Sequence, residues 1–379
     1  MTLISSFFLT RPAPSFFNHT ELKMTDNTVE DSSIVSNDAT TAIGALILGL
    51  VFLLGVPGNL FIIWSILARA RQRSVTTLLI LNLACADGFL MCLTIFFLIY
   101  LARQNWDFGD LMCKGLFYLC NTNMYASIFL ITLMSLHRLV AVVWPHRVAA
   151  LASKKMVVRA IAVLWALVFS ISIPALVFRQ VRYDHDEQNN TRLVCASNHS
   201  RSRYVVYQYT FETVVGFLVP YGVIVNSYVC ILRRLRQTKF RRKVRSEKLI
   251  LAIVVMFGIF WLPYHLINII QLTNKKEVCA NQPNIFPLHL AKPSRAVTSA
   301  LAFISSCANP ILYTFAGKSY IKEDGIAFMA RLFEGTSLDT GIKKGIGLKD
   351  AFSVDPNSLP LIFVNAFCKC APPQKLKYF

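Results

Sequence analysis

The stretch TLMSLHRLVAVVWP, residues 132–145, places one arginine, Arg138, near the end of a long apolar run. His137 precedes this arginine, and no acidic residue lies beside it in the chain. An arginine side chain stays charged in proteins, and a buried charge without a partner is costly. Arg138 is therefore expected at the edge of an apolar layer and not at its centre.

The rest of the chain is also strongly apolar. Of its 379 residues, 55% are hydrophobic and only 16% are charged, whereas soluble proteins carry about 25% charged residues. Seven runs reach the length of about 20 residues that spans a bilayer, and they are apolar nearly all round. They are residues 43–68, 76–101, 113–143, 156–177, 207–232, 249–272 and 294–315. The pattern predicts an all-α membrane protein, a bundle of seven transmembrane helices.

Basic residues give the orientation of this bundle. The links after the first, third and fifth spans are basic, and the last reads RRLRQTKFRRKVRSEK (233–248), with nine Lys or Arg against Glu247 alone. Short basic loops stay cytoplasmic, so we expect the N-terminus outside. Basic runs also occur in nucleic-acid-binding proteins. Between two spans, this one is better explained as a loop that faces membrane lipids, without a nucleic-acid partner.

Sequons and cysteines agree with this topology. Three N-x-[ST] sequons, at Asn18, Asn189 and Asn198, fall on segments expected outside, where N-glycosylation occurs. Cys113 begins the third span, and Cys195 lies in the loop between the fourth and fifth. Both are expected in oxidising surroundings, which predicts a disulfide.

The length of the third helix locates Arg138. Residues 113 to 138 form about 37 Å of helix, which exceeds the ~30 Å hydrocarbon layer. Because Cys113 marks the outer end, Arg138 is expected at the cytoplasmic mouth.

Polar residues within spans are functional candidates, because the membrane interior penalises them. Asp87 lies mid-span in LNLACADGFL, and Asn123, Ser127 and Asn309 lie in the third and seventh spans. Their oxygens predict a site for a sodium ion, the only metal expected. A structural cluster of hydrogen bonds between helices explains them equally well.

Two further charges stand near the outer mouth. Arg179 ends the fourth span in ISIPALVFR, and Glu212 lies about two turns above Pro220 in YTFETVVGFLVP. A buried acidic side chain at this position destabilises the protein unless it has a partner. We expect both side chains to face one pocket, with Arg179 paired either to Glu212 or to a ligand carboxylate.

Several short motifs arrive in a fixed order, one on each span: Asn59 in GN, LACAD (83–87), Arg138, Trp165, Pro220, FWLPY (260–264) and NPILY (309–313). As an ordered set they resemble the rhodopsin-like G-protein-coupled receptors, from residue 43 to about 335. The resemblance implies that Arg138 closes the inner mouth and then contacts the G protein, with Tyr228 and Tyr313 as its partners. It also implies that Trp261 responds to ligand beside the kink at Pro263.

The residue before this arginine departs from that family. The family carries an acid there, whose charge would stabilise the resting state by pairing with the guanidinium. His137 cannot do so, which predicts measurable basal signalling unless other contacts compensate.

Longer stretches narrow the resemblance. WSILARARQRSVTTLLILNLACAD (64–87), NMYASIFLITLMSLHR (123–138), FETVVGFLVP (211–220) and ALAFISSCANPILY (300–313) are similar to the leukotriene B4 receptors, above all the high-affinity type. This implies a ligand pocket that includes Tyr118, Arg179 and Glu212, with Arg203 in the external loop above the fifth span.

The expected organisation is an extracellular tail (1–42), a seven-transmembrane domain (43–316), a short amphipathic interfacial helix (317–335) and a disordered cytoplasmic tail (336–379). The expected function is a plasma-membrane receptor for leukotriene B4 or a related hydroxylated fatty acid. By resemblance it signals in chemotaxis through heterotrimeric G proteins of the inhibitory class, with arrestin as a further candidate partner. The alternatives are a receptor for an anionic peptide or another lipid mediator, and a transporter. The sequence shows no enzyme motif such as HExxH or GxSxG.

Overall fold

The computed structural model describes residues 38–69, 74–144, 154–185, 191–199, 202–237, 244–279 and 297–313. The interfacial helix predicted at 317–335, the tail after it, and the sequons at Asn18 and Asn189 lie outside these residues. Asn198 is described, and its side chain is exposed.

Seven helical stretches run along the described chain. Helices α1, α2 and α3 span Asp38–Trp64, Val75–Arg103 and Gly109–Val143, and a π-helical turn at Ser65–Arg69 extends α1. Helix α4 has two segments, Lys154–Ile171 and Ile173–Phe178. Helix α5 comprises Ser202–Thr213, a π-helical turn at Val214–Leu218, and Val219–Gln237. Helix α6 spans Val244–Cys279, and α7 spans Val297–Tyr313.

Within the described residues, six of these helices are long and apolar enough to cross a membrane, and α7 is a shorter apolar helix. Large apolar side chains face outward from them; Leu53 is 66% exposed and Val163 is 68% exposed. Such a surface suits lipid, because water penalises exposed apolar area. The predicted seven-helix membrane bundle is confirmed.

The helix ends differ from the predicted spans in a systematic way. Helix α1 begins at Asp38, inside the segment assigned to the tail, and α6 begins at Val244 and not near residue 249. Hydropathy marks only the part of a helix that crosses the apolar layer, whereas backbone hydrogen bonding continues into water.

Helix α3 lies at the centre of the bundle and contacts α2, α4, α5 and α6. Its buried residues Ile128 and Ile131 pack in one core with Leu79 of α2, Val168 of α4 and Ile253 of α6. On the other side of the bundle, α1 approaches α7 closely. A methyl group at Gly58 would lie 2.9 Å from Pro310, so this contact requires glycine.

Prolines lie inside helices α4, α5 and α6. Pro263 lies inside α6, and Pro220 follows the π-helical turn of α5. Proline cannot donate to the carbonyl four residues earlier, so the helix is locally loosened. In α4, Ser172 separates the two segments just before Pro174, and its hydroxyl donates to the Val168 carbonyl at 2.8 Å.

A two-stranded antiparallel hairpin follows α4 and is the exception to the all-α prediction. Strand β1 is Arg179–His185 and strand β2 is Thr191–Ser197, with Val181 opposite Cys195. Cys195 forms the predicted disulfide with Cys113 of α3. The Val181 amide also donates to Asp110 of α3 at 3.0 Å. The hairpin is thereby fixed to the outer end of α3.

Candidate functional site

A cavity lies among the helices near the hairpin, with about 1030 Å³ of empty space including solvent at its mouth. Much of its wall is apolar, from α1, α2, α3 and α7: Leu48, Leu90, Phe97, Leu101, Met124 and Phe303. A few polar side chains interrupt this wall, among them Arg179, Gln208 and Glu212. An apolar cavity with a few placed polar groups is typical of a small-molecule site.

Arg179 lies where α4 ends and β1 begins, and it lines the cavity. Its guanidinium carbon lies 3.7 Å from the centroid of the Phe117 ring, a cation–π contact that leaves the N–H groups available. Among the described residues, Arg179 forms no ion pair with a carboxylate. The cavity therefore contains a cation that can bind an anion.

Two other cations near the mouth are already paired. Arg103 pairs with Asp107 at 3.0 Å, and Lys114 pairs with Asp110. The hydrogen bond from Arg103, with a second from Asn105, lowers the pKa of the exposed Asp107 carboxyl. These pairs distinguish Arg103 and Lys114 from Arg179, which has no carboxylate partner among the described residues.

Arg192 of β2 is a further paired cation. Its guanidinium lies 3.6 Å from the Asp184 carboxylate of β1, across the hairpin. It therefore belongs to the hairpin and does not line the cavity.

Glu212 of α5 also lines the cavity and is 5% exposed. Its Oε1 accepts from the Gln208 amide at 2.8 Å, and its Oε2 accepts from the Tyr264 hydroxyl of α6 at 3.2 Å. The ion pairs among the described residues do not include one between Arg179 and Glu212. That alternative is not observed, because each side chain has a nearer neutral partner.

Trp261 of α6 lines the same cavity. Its indole N–H donates to the Ser305 hydroxyl of α7 at 2.9 Å, and its ring stacks on Phe257 at 5.6 Å between centroids. Trp261 thus joins α6 to α7 two residues before Pro263.

Two predicted pocket residues do not line the cavity. The Tyr118 hydroxyl donates to the Phe169 carbonyl of α4 at 3.0 Å, so this side chain binds the neighbouring helix. Arg203 is exposed, and its guanidinium lies 5.2 Å from the centroid of the Tyr204 ring. Sequence position alone did not fix the direction of these two side chains.

Asp87 of α2 is fully buried, and the four residues predicted to meet do meet. Its Oδ1 accepts from Asn123 and from Ser127 of α3, each at 3.2 Å, and its Oδ2 accepts from Asn309 of α7 at 2.8 Å. No ion pair to Asp87 occurs within the described ranges. The cluster ties three helices together with a buried negative charge.

At the inner end of α3, Arg138 is 5% exposed. Tyr228 of α5 and Tyr313 of α7 are also buried, at 6% and 1% exposure. His137 is partly exposed, and its Nδ1 is buried without a hydrogen-bond partner in the described part of the chain. The roles of these residues in G-protein coupling stay predictions.

Comparison with known proteins decides the family. The family model "7 transmembrane receptor (rhodopsin family)" matches residues 58–313. The chain belongs to the rhodopsin family of seven-transmembrane receptors.

Curated relatives place this receptor more closely. Leukotriene B4 receptor 1 of Mus musculus is 39% identical to it over 291 residues, which cover 77% of this chain and 81% of the relative. Leukotriene B4 receptor 2 of Homo sapiens is 35% identical over 315 residues, covering 81% and 84%. The C3a anaphylatoxin chemotactic receptor of Oncorhynchus mykiss is 32% identical over 294 residues, covering 74% and 75%. The chain is a multi-pass membrane receptor of the leukotriene B4 receptor type, and its relatives are receptors and not enzymes.

Sequence reasoning missed four neutral residues around the receptor's charges: Phe117, His199, Gln208 and Tyr264. Gln208 carried a usable signal, because residues four apart on a helix face each other and Gln208 precedes Glu212 by one turn. Phe117 and Tyr264 carried none, since their partners are distant in the chain.

Proposed function

We propose that this receptor binds leukotriene B4, or a closely related hydroxylated fatty acid, from outside the cell. The observation that carries the proposal is Arg179, a cation without an ion pair among the described residues, in the wall of a largely apolar cavity. A fatty acid needs both features, a cation for its carboxylate and apolar area for its chain. Glu212, with two acceptor oxygens on the same cavity, suits a ligand hydroxyl.

The same proposal covers signalling. Ligand in the cavity would contact Trp261 and shift α6 at Pro263, opening the inner end of the bundle around Arg138 to a heterotrimeric G protein. A ligand shifts such an equilibrium only by binding one conformation better than the other. The name of one relative, a chemotactic receptor, supports a role in chemotaxis. A plasma-membrane location with the N-terminus outside, and coupling to G proteins of the inhibitory class, are parts of the proposal.

We further propose a sodium ion at the Asp87 cluster. Its fully buried carboxylate has only neutral hydrogen-bond partners among the described side chains, so a small cation would offset a buried negative charge. Carboxylate, hydroxyl and amide oxygens are the donors that hard cations prefer. Asp87, Asn123, Ser127 and Asn309 would hold the ion.

The test of the ligand is G-protein activation in membranes that express the receptor, across a titration of leukotriene B4. Arg179→Ala is expected to lower potency by about 10- to 100-fold, the value of a lost hydrogen bond to a charged group. Arg103→Ala, which removes an exposed and paired arginine, is the matched control and should leave potency unchanged.

No response of the unaltered receptor, with surface expression confirmed, would remove leukotriene B4 as the ligand. Anionic peptides would then be tested, since the C3a receptor is also a relative. A response that Arg179→Ala does not weaken would leave the ligand in place and remove the carboxylate role of Arg179.

A further inference from the structure

Three buried polar side chains form a continuous hydrogen-bonded chain from the hairpin to the cavity. The His199 Nε2 and the Gln208 amide oxygen are 2.8 Å apart, and the Gln208 amide nitrogen donates to the Glu212 Oε1 at 2.8 Å. The three residues are 8%, 5% and 5% exposed. The chain continues through the Tyr264 hydroxyl on the Glu212 Oε2, so it joins the segment after β2 to α5 and α6.

The hydrogen bonds of this chain fix one another. An ionised carboxylate only accepts, so the Gln208 amide must turn its NH₂ group toward Glu212 and its oxygen toward His199. His199 must then carry a proton on Nε2. Removing the His199 donor would free the Gln208 amide to rotate, and Glu212 would lose its fixed partner.

His199 is itself held by the element that positions Arg179. Its ring packs against the Phe178 ring at a tilt of 31°, with centroids 4.8 Å apart, and the Asn198 amide donates to the Phe178 carbonyl at 2.7 Å. Phe178 directly precedes Arg179 in the chain. Four residues before His199, Cys195 is bonded to α3. The residues that flank the hairpin, Phe178 and His199, therefore contact each other and connect to both charges of the cavity.

We propose that His199 and Gln208 are positioning residues for Glu212, through which the outer hairpin sets the receptor's preference for a hydroxylated ligand. Glu212 bears the carboxylate that the ligand hydroxyl meets, and His199 with Gln208 holds that carboxylate in one orientation. The ligand part of this inference rests on the proposed function. The hydrogen-bonded chain does not, because it exists within the receptor.

The first experiment needs no ligand. The melting temperature is measured for the purified full-length receptor, for His199→Phe, for Glu212→Met and for the double variant, which together form a double-mutant cycle. The phenylalanine in His199→Phe keeps an aromatic ring beside Phe178. Because Gln208 connects the two side chains, the double variant should melt about 2–4 °C higher than the sum of the single losses implies. In a Gln208→Met background this coupling should vanish. Additive losses, or a coupling that survives Gln208→Met, would overturn the proposed chain.

The second experiment measures selectivity as the ratio of potencies for leukotriene B4 and a deoxy analogue that lacks one hydroxyl. His199→Phe and Gln208→Met should each lower this ratio by about tenfold, whereas His185→Phe, an exposed histidine of β1, should leave it unchanged. Equal loss of potency for both compounds would mean a merely structural role and overturn the positioning role. If the unaltered receptor responds to neither compound, the proposed function fails, and the melting cycle still decides the chain.

Discussion

Asp87 and Glu212 are two buried carboxylates in one bundle, and their surroundings differ. Asp87 is enclosed by Asn123, Ser127 and Asn309, which come from two other helices and bond to both of its oxygens. Glu212 also bonds through both oxygens, but it stands in the wall of the large cavity. The difference teaches that burial alone does not define a ligand contact. Access to the cavity makes Glu212 the proposed ligand contact, whereas the enclosed Asp87 is the proposed site of the sodium ion.

The largest expected effect separates the two carboxylates directly. Glu212→Gln keeps the shape of the side chain and removes its charge, so it should lower the potency of leukotriene B4 by about 10- to 100-fold. The measurement is G-protein activation across a ligand titration, with and without sodium chloride. Sodium sensitivity should be unchanged, since the altered group is not in the Asp87 cluster. Loss of sodium sensitivity in Glu212→Gln would mean that the two sites are not separate.

The converse change is expected to be smaller for potency. Asp87→Asn removes the buried charge that a sodium ion would offset, so agonist affinity should stop responding to sodium, with potency changed by less than about tenfold. Radioligand binding in sodium chloride and in N-methylglucamine chloride measures this. Choline chloride is the control for ionic strength, because any salt screens exposed charges equally in the unaltered receptor and in Asp87→Asn. A sodium response retained by Asp87→Asn would remove the proposed ion from this cluster.

The smallest expected effect is on basal G-protein activation, when a carboxylate is added at the inner end of α3. His137→Asp places an acid beside Arg138, and a pair of this kind should lower basal G-protein activation by about two- to fivefold. Nucleotide exchange in the absence of agonist gives the measurement. His137→Asn, uncharged and of the same branching, is its control. Equal basal activity in the receptor and in His137→Asp would show that other contacts already hold the resting conformation.

Much of the fold could be predicted from the sequence. A helix that crosses a membrane must be long and apolar, and seven such runs in one chain are not expected of a soluble protein. What hydropathy could not give was the helix ends and the internal irregularities. The π-helical turn at Val214–Leu218 and the break at Ser172 depend on how backbone carbonyls are satisfied locally.

From the sequence, the candidate site could be predicted only at its charged residues, because a charge in an apolar span raises the free energy of membrane insertion. Arg179, Glu212 and Asp87 are conspicuous in a bundle of apolar helices, and the structure places the first two on the cavity. Tyr118 and Arg203 were assigned by sequence position and point elsewhere. Tyr264 could not be found from sequence, since its bond to Glu212 joins residues 52 positions apart and a tyrosine in a span is ordinary.

The bond between Cys113 and Cys195 also constrains how the receptor is made. The two cysteines are separated by 82 positions, which include the rest of α3 and all of α4. At roughly 5–20 residues per second, ribosomes need about 4–16 s to synthesise that interval. During biosynthesis this bond cannot form until the chain has been synthesised as far as Cys195, so the oxidation that secures the hairpin follows the synthesis of four helices.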